Sequence, residues 1–199
     1  MKKKKSNNSS TGVFLIVIIL IVVVTGYYCF LVNRPSKETE PEKLSPVQEI
    51  LLKDVAFSYP ATVKEVIKYY NELTKCLYNE ECTQEELEEL AKRQRELYDT
   101  ALLAQNEWGT HIINLTGEVI AFQESGRKLT GCHVGASTDV AYFEEDGHSF
   151  ARIPCSYTVV QNSESVTTMH IFLLRKDVTD RWRIYGWDLA EHVNLQEEE

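Results

Sequence analysis

The sequence predicts an α+β protein: an N-terminal transmembrane helix, then a domain of about three helices packed on a curved antiparallel sheet of four to five strands. Three observations predict it. Gly12 to Val32 carries no charged side chain. Between Tyr59 and Gly126 apolar residues recur at helical spacing, and from Lys128 onward they alternate at period two between turn residues. Helices first and strands afterwards is the order of an α+β domain.

The uncharged run, taken as a helix over 12–33, would cover about 30 Å at ~1.5 Å per residue, the thickness of a bilayer's hydrocarbon. A cleavable signal peptide also has a basic start before an apolar stretch, but the small-residue cleavage pattern is missing. Tyr27 and Tyr28 before Cys29 fit a lipoprotein site poorly and suit interfacial anchors. Lys2 to Lys5 before the span predict a basic cytoplasmic tail over 1–11, a cell-membrane location with a single-pass anchor, and the remainder outside.

Of 21 basic and 30 acidic residues, five basic ones (Lys2 to Lys5 and Arg34) precede residue 35, which leaves 16 against 30 and a net charge of −14. So acidic a domain repels phosphate backbones, and no nucleic-acid partner is expected. Residues 34–45, with Pro35, Pro41 and alternating charge, read as a hydrated tether. The outer domain is expected over 46–192, with an acidic tail at 193–199.

Val47, Ile50, Leu51 and Val55 suggest a short docked turn of helix. The first full helix places Val63, Val66, Ile67, Tyr70, Leu73 and Leu77 on one stripe, and Thr62 with Glu65 forms a capping box. The second is capped by Thr83 with Glu86 and turns Leu87, Leu90, Leu97, Ala101 and Leu102 inward. So short a connection makes the two antiparallel. A third helix runs from Trp108 to Gly126, although Gly117 weakens it. Cys76 and Cys82 flank the first turn and could form a disulfide in an oxidising exterior; buried thiols account for them equally well.

Strands are predicted at about 128–136, 138–145, 148–161, 165–175 and 181–188, as a meander. If Asp146-Gly147 is a two-residue hairpin turn, Glu145 pairs with His148, Tyr142 with Ala151 and Val140 with Ile153. One face then carries Val140, Tyr142, Ala151, Ile153, Cys155, Tyr157 and Val159, continued by Met169, Ile171, Leu173, Trp182 and Ile184, and lies on the helices. The other carries Phe143, Phe150, Phe172, Leu174, Tyr185 and Trp187 among Asp139, Arg152, Ser156 and His170. Burying one large apolar side chain is worth ~1.5–3 kcal/mol, so this second face should be sheltered by a pocket, a packed segment or a second subunit.

The stretches "YPATVKEVIKYYN", "CLYNEE", "LAKRQRELYD", "STDVAYFEEDGHSFARIPCSY" and "FLLRKDVTDRWRIYGWDLA" resemble an uncharacterised family, a domain of unknown function in membrane-anchored proteins of Gram-positive, clostridia-like bacteria. The same meander closing on "RWRIYGWDL" resembles the cone-shaped fold of the nuclear transport factor 2-like and SnoaL-like superfamily. That resemblance implies a mouth that binds a small molecule and an outer sheet face that makes a homodimer. The layout of one anchor and one outer domain also resembles bitopic subunits of conjugation and type IV secretion channels, which implies an envelope partner.

The candidate binding residues, whether for a pocket or a dimer face, are Asp139, Arg152, Ser156, His170, Phe172, Tyr185 and Trp187. Ser156, His170 and Asp139 make no convincing triad, because no strained nucleophile turn or oxyanion hole is visible. An isomerase or dehydratase would use Asp139 or His170 as general base in an apolar cavity. His111, His133, His148 and His192 are scattered, "EEDGH" lacks the spaced ligands of a calcium loop, and no cofactor or metal is expected. The functional expectation is a membrane-anchored, non-catalytic module that binds a protein or ligand. A small-molecule enzyme is the alternative; a ligand sensor would need an output partner, since only about eleven residues precede the span.

Overall fold

The structure, a computed structural model, describes residues 20–30, 44–55 and 57–191. The chain divides into two units, Met1–Lys43 and Leu44–Glu199. The N-terminal unit corrects one expectation. Among the described residues no helix is long and apolar enough to cross a membrane. The described helical residues there, 20–30, account for about 16 Å at 1.5 Å per residue, roughly half a hydrocarbon core. The other positions of the expected span, the basic tail, most of the tether and the acidic tail lie outside the described residues.

In the second unit, capping chemistry starts each early helix. Helix α1 (Pro46–Leu51) begins at Ser45, whose hydroxyl accepts the Gln48 amide while the Gln48 side chain accepts the Ser45 amide. The same reciprocal pairs, Thr62 with Glu65 and Thr83 with Glu86, open α2 (Val63–Asn79) and α3 (Gln84–Arg95). Losing one such cap costs roughly 0.5–2 kcal/mol. The apolar stripe of α2 is the core's spine: Val63, Val66, Ile67, Leu73 and Leu77 are buried, with Tyr70 beside them half-buried.

The second expected helix is two helices. α3 stops at Arg95, and α4 (Thr100–Gln105) restarts after Asp99. Between them Leu97–Asp99 leaves helical hydrogen bonding for the sheet edge: Ile184 N donates to Leu97 O and Asp99 N to Ile184 O, both at 2.8 Å. Asp99 then caps α4 through the Ala101 amide at 2.8 Å. The third expected helix is α5 (Trp108–Glu124), and Gly126 at φ +70° supplies the left-handed residue at which it ends.

Five antiparallel strands follow: β1 (Lys128–Val134), β2 (Ala141–Glu145), β3 (His148–Gln161), β4 (Glu164–Lys176) and β5 (Trp182–Leu189). They are not a simple meander. β1 and β2 both pair with β3, Val134 opposite Cys155 and Ala141 opposite Arg152, so they lie end to end along one edge. A 3₁₀ turn, Ser137–Asp139, separates them. The predicted pairs Glu145 with His148 and Tyr142 with Ala151 are present, over a turn whose Asp146 and Gly147 both have positive φ. The ladder stops at Ala141, so Val140 does not pair with Ile153.

The predicted parity of β4 is wrong by one residue. Asn162 and Ser163 form a two-residue turn, both at positive φ, and Gln161 pairs with Glu164. A three-residue loop was expected there. One residue of slip turns every side chain of a strand over, so Ile153 faces across to Phe172, Cys155 to His170 and Ala151 to Leu174. Phe172 and Leu174 are consequently buried against the helices, with Ala151, Ile153 and Cys155. Met169, Ile171 and Leu173 turn outward instead. In β5 a bulge opposite Leu173/Leu174 leaves Tyr185 out of the ladder, so Ile184 and Trp187 both turn inward while Tyr185 turns outward.

The outer face keeps Phe143, Phe150 and Tyr185, and it is sheltered by its own arginines. Arg152 lies 4.7 Å over the Phe143 ring and Arg175 4.9 Å over Tyr185, with Phe150 between the two rings. Guanidinium stacking covers ring faces while the charge stays near water.

Candidate functional site

A cavity of about 480 Å³ lies between the helices and the inner face of the sheet. Each element contributes a short periodic set. From α2 come Tyr70, Thr74 and Tyr78, one turn apart; from α5 come His111, Leu115, Glu118 and Phe122, also on one face. The sheet supplies Tyr157, Thr168, His170, Phe172 and Trp187. Gln94 and Tyr98 close the side formed by α3 and the loop after it.

Rings crowd one wall. Trp187 has Phe172, Tyr70 and Tyr98 within 5.7, 5.8 and 6.0 Å, and Tyr70 meets Phe172 edge-on at 5.6 Å. The polar groups on the floor are satisfied by one another: Tyr157 Oη donates to Asn71 Oδ1 at 2.6 Å, and Asn71 Nδ2 reaches Cys155 Sγ at 3.3 Å. Tyr78 Oη donates to Glu118 Oε1 at 2.7 Å, joining α2 to α5. Burial pushes the Tyr70, Tyr98 and Tyr157 hydroxyls up, and for Tyr78 burial and the bond to Glu118 act together. All four are neutral at physiological pH.

Two histidines differ from these. Burial lowers the pKa of both His111 and His170, so both rings are neutral. His111 Nε2 and His170 Nδ1 are buried and have no hydrogen-bond partner among the described residues. His170 Nε2 lies 3.4 Å from Thr168 Oγ1, and the ring meets Tyr157 edge-on at 5.3 Å. An unpaired buried polar atom is costly, and its presence in a cavity wall marks a place where a ligand or ordered water completes the bonding. No lysine or arginine lines the cavity, and its one carboxylate is Glu118. Anions are therefore disfavoured, and planar apolar molecules with a few polar atoms fit the wall.

A larger recess, about 860 Å³, opens at the other end of β4 and β5. Three of its cations are held by carboxylates of the same recess. Arg175 holds Asp99 with two bonds, at 3.0 and 2.5 Å, Arg183 Nε holds Asp177 at 2.8 Å, and Lys176 holds Asp180 at 2.6 Å.

Of the residues singled out in the sequence, His170, Phe172 and Trp187 come together in the cavity. Arg152, Ser156 and Tyr185 are on the opposite face, so Ser156 is not beside His170. Asp139 sits in the 3₁₀ turn, where its carboxylate accepts the Ala136 amide at 2.7 Å. Cys76 and Cys82 are free thiols that reach the carbonyls of Pro46 and Cys76, at 3.7 and 3.8 Å. Among the described residues no cluster of three or more metal-ligating side chains forms. Sequence reading missed Tyr70, Tyr78, Tyr98, His111 and Tyr157 as wall residues. Hydroxyl-bearing rings set into otherwise aliphatic stripes were the available signal.

An α+β domain with an aromatic-walled cavity between its layers is the class that fold and site define. Residues 1–187 match the family model for DUF6715, a domain of unknown function, and the chain belongs to that family. Among curated proteins none matches this sequence.

Proposed function

We propose that the domain over residues 44–191 is a non-catalytic ligand-binding module whose site is the cavity between α2, α5 and the sheet. The observation that carries this reading is the combination of a drug-sized volume, a wall of aromatic rings and two neutral histidines whose buried nitrogens lack partners. Helices laid on one face of an antiparallel sheet, with a cavity between the layers, support reading the cone-shaped likeness noted in the sequence as a binding fold. The ligand it favours is uncharged and planar.

The alternative, an isomerase or dehydratase, would use Asp139 or His170 as general base; Asp139 is committed to a turn outside the cavity, which leaves His170 alone of the two in its wall. Binding is the reading that the geometry supports better.

The test is quenching of tryptophan fluorescence by indole-sized solutes of matched shape, one neutral, one a carboxylate. The neutral solute should quench and raise the melting temperature, the carboxylate should do neither, and Leu115→Trp, which fills the space, should abolish both effects. No response to any neutral aromatic solute up to its solubility, in a protein that is folded by circular dichroism, would overturn the reading.

A further inference from the structure

Several side-chain donors of the cavity wall are already committed within the protein. Tyr78 Oη donates to Glu118 Oε1 and Tyr157 Oη to Asn71 Oδ1. Gln94 Nε2 donates at 2.9 Å to Thr74 Oγ1, which donates in turn to the Tyr70 carbonyl at 2.8 Å.

Of the groups left over, two accept. Glu118 Oε2 has no hydrogen bond among the described residues, and an ionised carboxylate offers lone pairs only. The other is His170 Nδ1, buried and unpartnered. Its sister atom Nε2 lies 3.4 Å from Thr168 Oγ1. Buried N–H groups without partners are rarer than buried acceptors without them, so the ring proton belongs on Nε2, donated to that hydroxyl. Thr168 is exposed and has water for its own proton. Nδ1 then presents a lone pair to the cavity. His111 Nε2 is orphaned too, but no hydrogen bond fixes the tautomer of that ring, which makes His170 the selective group.

Resting on the binding role proposed above, we infer that the cavity selects neutral aromatic ligands that carry a ring N–H or amino donor, taken up by His170 Nδ1, with Glu118 Oε2 as a second acceptor on the α5 side. Phe172, whose ring packs on Trp187, is two residues from His170 on β4. Such strand positions are about 7 Å apart, so a bicyclic ring laid on the aromatic wall reaches Nδ1 with its edge. A ligand of the same outline that only accepts sets lone pair against lone pair and leaves both unpaired, which is where a polar site discriminates most.

The experiment is titration calorimetry of the full chain with indole and with benzofuran, neutral bicyclic rings that differ in N–H against O. Indole should bind about tenfold more tightly. His170→Phe, which keeps a ring and loses both nitrogens, should bring the two to parity, and His170→Met serves where the phenylalanine variant fails to fold. Equal affinities in the wild type, or tighter benzofuran, overturn the donor rule while the binding role stands. An indole preference that survives in the folded His170 variant overturns it as well. Binding of neither ring overturns the binding role and this inference with it.

Discussion

Phe172 and Trp187 sit opposite each other on β4 and β5 with ring centroids 5.7 Å apart, and they do so because the bulged Tyr185 between them and the turn shifts the ladder by one. Without that bulge Trp187 would point to the outer face. The two rings have different duties. Phe172 is sealed at 1% exposure, whereas Trp187 is 41% exposed at the cavity wall.

Truncating them should therefore separate stability from binding. Phe172→Ala removes a fully buried ring and is expected to cost ~3–5 kcal/mol in urea denaturation. Trp187→Ala should cost under about 2 kcal/mol, in line with partial burial, yet remove binding of neutral aromatic solutes. Equal stability losses for the two would contradict the assignment.

Asp99 should be among the most sensitive polar residues. It is 3% exposed, caps α4 and holds Arg175 through both oxygens. Asp99→Ala leaves a guanidinium uncompensated and a helix uncapped, so a loss of roughly 3–5 kcal/mol is expected. A double-mutant cycle with Arg175→Ala should return a large part of it as coupling.

Acid should destabilise the fold through its histidines. His111 and His170 have pKa values below their ordinary 6.5 because burial penalises the imidazolium. The unfolded chain then binds more protons as pH falls through about 6.5. Stability contributed by the neutral rings is full above that pH and declines below it, until the folded rings also protonate. The carboxylate of Asp177, held far below its usual range by bonds from Thr179 and Arg183 against the raising effect of burial, gives up its contribution only below about 3.8. Melting temperatures from pH 7.5 to 5 should fall, and the slope should shrink in His111→Gln and His170→Gln. A flat profile for the wild type would refute the burial argument.

Thiol chemistry offers a further check. Burial pushes both Cys82 and Cys132 up to about 11 and raises Cys76 and Cys155 as well. At pH 8 the thiolate fraction is then small, and a disulfide reagent should modify these four much faster in the urea-unfolded chain than in the folded one. Comparable rates in both states would mean the thiols are not buried as described.

Ser163 adopts φ +69° without being glycine. Ser163→Gly should stabilise the β3–β4 hairpin by about 0.5–1 kcal/mol, readable as a higher melting temperature.

Much of the architecture was legible because it rests on local chemistry. Thr62 with Glu65 and Thr83 with Glu86 mark helix starts by short-range hydrogen bonds, and Asp146-Gly147 fixes its hairpin by backbone conformation alone. Asn162-Ser163 was harder. Neither residue is glycine, so the turn looked longer by one, and that single residue inverted the facing of all of β4. The break at Glu96 depends on a distant edge, Ile184, and has no signal among its neighbours. The cavity suffered twice: His170, Phe172 and Trp187 were assigned to the wrong side of the sheet, and its helix residues passed for ordinary core.

The Leu97–Asp99 crossing has one further result. By occupying the backbone groups of β5 around Ile184 it blunts that margin of the sheet, and the Ser137–Asp139 turn splits the opposite margin into two short pieces. Neither side presents a long row of unsatisfied amides and carbonyls on which a foreign strand could zip. Contact with other molecules is thereby left to side chains, which are far more selective than main-chain templating.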